Sequence, residues 1–223
     1  MTATTSTGFS PTALAFFEGL AADNSKVYWQ ANKAVYDVEV KAAMQAVLAD
    51  LEEYGPFKVF RPYNDVRFAK GRPPYKEQIG AAGESEGGSV VYIQFSASGL
   101  MTGTGYYSMA SDQLEAFRRA VDDEHRGVEL AAICAALEKQ GYTLGAMEQL
   151  KTAPRGIAKD HPRIDLLRRK GLIATVAWAP EPWLHTTSVV TKIRNVWKGA
   201  AAMTEWLDTH VGPSQLPPPD WDR

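Results

Sequence analysis

The stretch VVYIQFSASGLMTGTGYYSM, Val90 to Met109, constrains the fold of this chain more than any other. Two runs rich in β-branched and aromatic residues flank the turn residues Ser96, Ala97, Ser98 and Gly99. Such a pattern predicts a β-hairpin, so the chain contains a sheet that is at least partly antiparallel. The elements around it set the fold class. Ser10-Pro11 is a helix start, with Leu14, Phe17 and Leu20 at helical spacing behind it. The spacing of Tyr28, Val35, Val38, Met44, Val47, Leu48 and Leu51 predicts one amphipathic helix from about Lys26 to Glu53, ended by Gly55-Pro56. FKVFRPY reads as a strand that Pro62 either confines to an edge or breaks. GAAGESEGGS, Gly80 to Ser89, reads as a flexible loop from its composition.

Helices are expected at Ser111–Asp123 and Val128–Gln140, the second stopped by Gly141. A short strand follows in YTLGAMEQL, then a short helix in HPRIDLLRRK, a strand in GLIATVAWA, and a last helix from Ser188 to His210. Strands and helices do not alternate as βαβ units. The expected architecture is therefore α+β: a single domain over 1–210, with a largely antiparallel sheet packed against several amphipathic helices. The Pro-rich tail 211–223 is expected to be poorly ordered.

Charge is distributed unevenly. The formal net charge is −2, which gives no global argument for nucleic acid or a membrane surface. Yet Lys58 to Lys76 carries six basic residues against one acid, and Lys151 to Lys170 seven against two, so the rest of the chain carries −12. If the two basic segments meet, they form a positive pocket that concentrates small anions. In strand geometry Arg61, Tyr63, Asp65 and Arg67 share one face, where Asp65 can orient an arginine fork for carboxylate or phosphate. Arginine neighbours lower a carboxylate pKa, which makes Asp65 a poorer base than orienting group. The prolines of GRPPYK stiffen the loop that presents Arg72, Tyr75 and Lys76. The competing reading is an internal network of ion pairs.

In PRGIAKDHP, Arg155 adds to the second segment, and Asp160 either orients His161 or caps the helix that carries Ile164 and Leu167. Gly103 and Gly105 leave room for a ligand, or else mark a close approach of backbone or a bulge. Trp178, Trp183, Trp197 and Trp206 read mostly as core. Cys134 is the one cysteine, in an apolar helical run, so it reads as a buried thiol and neither a disulfide nor a cysteine-based zinc site is expected. The histidines lack ligand spacing, so no metal is indicated. No cofactor fingerprint, paired-carboxylate motif or nucleophile motif occurs, and no catalytic residue is named. The N-terminus does not read as a signal peptide or anchor, and no membrane partner is implied; a cytoplasmic location is the default expectation.

RPYNDVRFAKGRPPYK resembles the signature of a bacterial family, domain of unknown function 2461, at Arg61, Asp65, Arg67, Phe68, Lys70, Pro74, Tyr75 and Lys76. Asn64 stands where that family usually has a second arginine, and Gly71-Arg72 replaces Asp-Lys. GFSPTALAFFEGLAADNS, ANKAVYD and PRGIAKDHPRIDLLRRKG are also similar to family segments. The resemblance implies a bacterial protein and a single domain, with no established activity. The leading functional expectation is a pocket for a small phosphate- or carboxylate-bearing ligand. It is lined by Arg61, Asp65, Arg67, Lys70, Arg72, Tyr75, Lys76, Arg155 and His161. Nucleic-acid binding, with Tyr63, Phe68 and Tyr75 stacking on bases, is the second expectation, and the acidic remainder of the chain opposes it.

Overall fold

A computed structural model of the protein describes residues 6–64, 71, 73–84 and 88–216. Its architecture is α+β. The strands β1 (Phe57–Val59), β2 (Gln78–Glu84), β3 (Val90–Ser96), β4 (Gly99–Tyr106), β5 (Thr143–Gly145) and β6 (Leu172–Trp178) form an antiparallel sheet in the order β1-β2-β3-β4-β6-β5. β3 and β4 are the expected hairpin, and β1 is an edge strand that ends at Val59, before Pro62. Among the described residues no helix is long and apolar enough to cross a membrane.

The chain forms two compact units. The first comprises Met1–Gly83, Tyr92–Thr102 and Ala177–Val196. Its helices are α1 (Pro11–Ala22), α2 (Lys26–Val35), α3 (Ala42–Ala49) and most of α7 (Ser188–Gly199). Ser10 caps α1 by accepting from the Ala13 amide at 3.1 Å while its own hydroxyl donates to Glu39. Ser25 caps α2 through the Tyr28 amide. Phe9, Phe17, Leu20, Met44, Ile79, Ile93, Phe95 and Ile193 are fully buried, and Phe9 stacks flat on Phe95 at 4.1 Å.

The second unit comprises Glu84–Val91, Gly103–Val176 and Trp197–Arg223. Its core joins Tyr106, Phe117, Val121, Leu130, Leu167 and Leu172 with Met203 and Trp206, drawn from β4, β6 and the helices α4 (Ser111–Asp122), α5 (Glu124–Lys139), α6 (Ile164–Leu167) and α8 (Ala201–His210). Asp208 accepts from the hydroxyls of Tyr106 and Ser89, both at 3.1 Å. Burial, then the Asp208 carboxylate, pushes the Tyr106 phenol far up from its ordinary range. Cys134 is buried as expected, and burial pushes its thiol up to about 11. Of the tail, Ser214 and Gln215 are held by the Asp112 carboxylate, and residues 217–223 lie outside the described residues.

Several elements differ from the sequence expectation, each for a local reason. The helix expected over Lys26–Glu53 contains a π-helical segment, Tyr36–Lys41, between α2 and α3. The wider turn alters the facing of the residues around it, and Val38, expected on the inner face, is exposed. The loop expected at Gly80–Ser89 is strand β2 as far as Glu84. Aromatic rings explain its small residues: a side chain at Gly80 would meet the rings of Tyr92 and Phe60, and one at Gly83 the ring of Phe57. Helix α5 starts at Glu124, not Val128, because the Asp123 carboxylate accepts from the amides of His125 and Arg126. The expected last helix is broken at Ala200 into α7 and α8. Gly199 precedes the break, where a Cβ would strike the Tyr142 hydroxyl. Trp197 and Trp206 are core, whereas Trp178 and Trp183 are only half-buried, with the Lys192 ammonium over both rings.

Gly103 and Gly105 make room for backbone. A Cβ at Gly103 would lie 2.5 Å from the Ala174 carbonyl oxygen of β6, and one at Gly105 would strike that of Leu172. Gly105 also sits at φ +131°, outside the range that L side chains favour. Gly105→Ala therefore combines strain with a clash. It is expected to lower the unfolding free energy by about 2 kcal/mol or more in urea titrations. A variant with a wild-type midpoint would contradict this account of β4 and β6.

Candidate functional site

The signature segment continues the β1–β2 pair. Phe57 pairs with Gly83 and Val59 with Ala81, and the Phe60 amide donates to the Gly80 carbonyl at 2.9 Å. Beyond Arg61 the pairing resumes in a shifted register. The Lys76 amide donates to the Pro62 carbonyl at 2.7 Å, Tyr63 pairs with Tyr75, and the Asn64 amide donates to the Pro74 carbonyl at 2.9 Å. Arg61 alone thus stands opposite Glu77, Gln78 and Ile79, a bulge on the return strand that bends the ribbon.

Pro73 and Pro74 have no amide hydrogens, so a regular ladder cannot close this ribbon. Two asparagines supply what is missing. Asn64 donates through its side-chain amide to the carbonyls of Pro73 at 2.9 Å and Tyr75 at 3.1 Å. Asn24, between α1 and α2, accepts from the Tyr75 amide at 3.1 Å and donates to its carbonyl at 3.0 Å and to Glu77 at 3.2 Å. Asn64 is therefore a structural tie: its one amide group serves two carbonyls, which a guanidinium does only with a longer reach and a full charge.

The ribbon rests on an aromatic platform. Tyr75, only 7% exposed, stacks on Trp29 of α2 at 4.4 Å and 8°. Tyr36 packs on Trp29 from the π-helical segment at 4.8 Å. Tyr63 leans on Tyr75 at 5.5 Å and on Trp29 at 5.8 Å, yet remains 47% exposed. The Lys76 ammonium lies over the Phe60 ring at 5.7 Å. Burial raises the phenols of Tyr75 and Tyr36, the latter to about 12 with smaller contributions from Asp37 and Tyr63. Lys33 pairs with Asp37 one turn away, and this hydrogen bond, with the charge behind it, raises the ammonium pKa.

Of the residues expected to form the site, Arg61, Tyr75 and Lys76 lie on this ribbon, with Arg61 exposed and in no ion pair among the described residues. Asp65, Arg67, Lys70 and Arg72 lie outside the described residues. Arg155 and His161 belong to the second unit, where Arg155 is exposed. His161 takes its carboxylate from Asp122, whose Oδ1 is 3.3 Å from Nε2, while Nδ1 accepts from the Arg163 amide at 3.0 Å. These partners place the proton on Nε2. Asp160 does not cap α6, whose N-cap is Arg163 without a side-chain bond. The expectation of an Asp160 cap gives way because the His161 ring already meets the amide at that turn.

Three more cations of the second segment, Arg163, Arg168 and Lys170, turn to the protein itself, whereas Lys151 and Lys159 are exposed. Arg163, 8% exposed, donates to the carbonyls of Val121 at 2.8 Å and Asp122 at 3.1 Å and pairs with Glu124. Gly127 has no side chain where that guanidinium passes. Arg168 donates to the Leu150 carbonyl at 2.7 Å, and Lys170 pairs with Glu148 at 2.6 Å. Sequence reasoning missed Asn24, Trp29 and Tyr36; the recurrence of aromatic residues at 29 and 36, two helical turns apart, was their available signal.

These features define an α+β protein in which residues 60–64 and 73–76 form a ribbon seated on an aromatic platform. The chain belongs to the family described as conserved hypothetical protein (DUF2461), whose model matches residues 12–206. No curated protein and no solved structure matches it.

The raised Tyr36 phenol has a pH signature. Its folded-state pKa of about 12 exceeds the ordinary 10.0, so the native state keeps the proton longer. Stability is thus lost as pH rises from about 10 towards 12. Tyr36→Phe is expected to remove a share on the order of 1 kcal/mol at pH 11, seen as a smaller fall in Tm than in the wild type between pH 9 and 11. Parallel falls would show that the phenol is solvated.

Proposed function

We propose that the ribbon 60–76 binds a small anion that carries phosphate or carboxylate. One observation supports this above others. Arg61 stands exposed at a bulge with no ion pair among the described residues, on a backbone whose neighbouring residues are tied by Asn64 and Asn24, whereas Arg163, Arg168 and Lys170 of the second basic segment face carbonyls and carboxylates. A guanidinium presented on a fixed backbone loses little entropy when it takes a bidentate anion. In this reading Arg61, Arg67, Lys70, Arg72 and Lys76 supply the positive field, Asp65 orients an arginine fork, and Tyr75 supports the ribbon through its stacked ring. Arg155, exposed in the second unit, and His161, with both ring nitrogens engaged, are not needed for it. The proposal is one of binding.

Thermal unfolding with phosphate, citrate and ribose 5-phosphate at constant ionic strength tests the reading. An anion at ten times its Kd stabilises the native state by about 1.4 kcal/mol, a rise of roughly 3–6 °C for a chain of this size. At least one anion should raise the Tm of the wild type by that amount and raise those of Arg61→Ala and Arg67→Ala by clearly less. If every anion shifts the wild type and both variants equally, the site is not there.

A further inference from the structure

We infer that the ligand of this ribbon is an anion bearing a planar aromatic ring, which stacks on the open face of Tyr63. The inference rests on the anion-binding reading above and adds the class of molecule bound. Its starting point is an asymmetry across one bridged pair. Tyr63 and Tyr75 are directly opposed on the ribbon, so their side chains share a face. On that face Tyr75 is covered by the parallel ring of Trp29, whereas Tyr63 meets only the tilted rings of Trp29 and Tyr75 among the described residues and is 47% exposed. A row of aromatic groups runs from Tyr36 through Trp29 and Tyr75 and ends at the exposed ring of Tyr63.

A single exposed tyrosine is ordinary on a protein surface. This one differs in three respects. Its backbone is fixed by the bridge to Tyr75 and by the Asn64 amide bond to Pro74, and its ring is propped by two others, so little freedom remains to be lost on binding. It lies two residues from the exposed Arg61, so a ring on Tyr63 leaves its anionic group within the field of that guanidinium. It also remains 47% exposed in spite of those two ring contacts. An aromatic surface beside fixed cations suits nucleoside monophosphates and aryl phosphates or carboxylates better than inorganic ions, because stacking tolerates many rings while the cations select the charge.

Isothermal titration at fixed ionic strength with AMP, phenyl phosphate, ribose 5-phosphate and inorganic phosphate separates the two levels. AMP and phenyl phosphate should bind the wild type on the order of tenfold more tightly than ribose 5-phosphate. Tyr63→Ala should erase that advantage, Tyr63→Phe should keep it, and Arg61→Ala should weaken ring-bearing and ring-free phosphates alike. Circular dichroism of Tyr63→Ala checks that the fold persists, and Tyr63→Phe keeps the test valid if it does not. Equal affinities for AMP and ribose 5-phosphate in the wild type overturn the ring inference while leaving the anion site standing. Binding of none of the four phosphates overturns both. A single-stranded oligonucleotide bound far more tightly than AMP at the same salt makes nucleic acid the occupant and overturns the small-molecule assignment.

Discussion

The ring of Tyr75 lies parallel to that of Trp29 at 4.4 Å, and this contact attaches the signature ribbon to helix α2. The attachment matters because the ribbon cannot hold itself. Pro62, Pro73 and Pro74 remove amide donors from a short two-stranded segment, and isolated two-stranded ribbons are marginal in water. Burying two large aromatic faces supplies the missing stabilisation, and Asn24 fixes the register by bonding both the amide and the carbonyl of Tyr75. The prolines then become useful, since they stiffen a segment whose position is set elsewhere. The exposure of Arg61 and Tyr63 is a property of that arrangement and not of two surface side chains taken singly.

The two basic segments look alike in composition and differ in what surrounds them. Around Arg163, Arg168 and Lys170 the chain turns between short elements and leaves carbonyls of Val121, Asp122 and Leu150 unpaired by helix or strand. Long cationic side chains reach those acceptors, and Gly127 leaves the space for one of them. Around Arg61 the acceptors are already taken by backbone amides and by the asparagines. Local density of positive charge is therefore a poor guide to ligand binding until the fate of nearby carbonyls is known.

Much of the fold was legible because it rests on local grammar: the hairpin of β3 and β4, the Ser10 cap, the Gly141 stop and the edge position of β1. The misreadings share one cause, which is that tertiary neighbours decide what a glycine means. Gly80 and Gly83 read as loop but lie beneath aromatic rings in a strand. Gly103 and Gly105 serve a neighbouring strand. The concentration of positive charge over 58–76 was legible in the sequence, whereas the aromatic platform under residues 63 and 75 was not. Trp29 and Tyr36 have the spacing of ordinary core residues, and Asn24 lies 51 positions from the backbone it binds. The carboxylate beside His161 was likewise misassigned, since Asp160 is adjacent in sequence and Asp122 is adjacent in space.

The central claim is that the ribbon is rigid before any ligand arrives. Native-state hydrogen exchange at the amides of Asn64 and Lys76, compared with that of Phe60 at the head of the β1–β2 ladder, tests it most directly. A preorganised ribbon gives all three amides protection of the same order in the wild type, and Trp29→Leu lowers protection at Asn64 and Lys76 more than at Phe60. Exchange at Asn64 and Lys76 as fast as in an unstructured peptide, in the intact wild-type protein, would contradict the account.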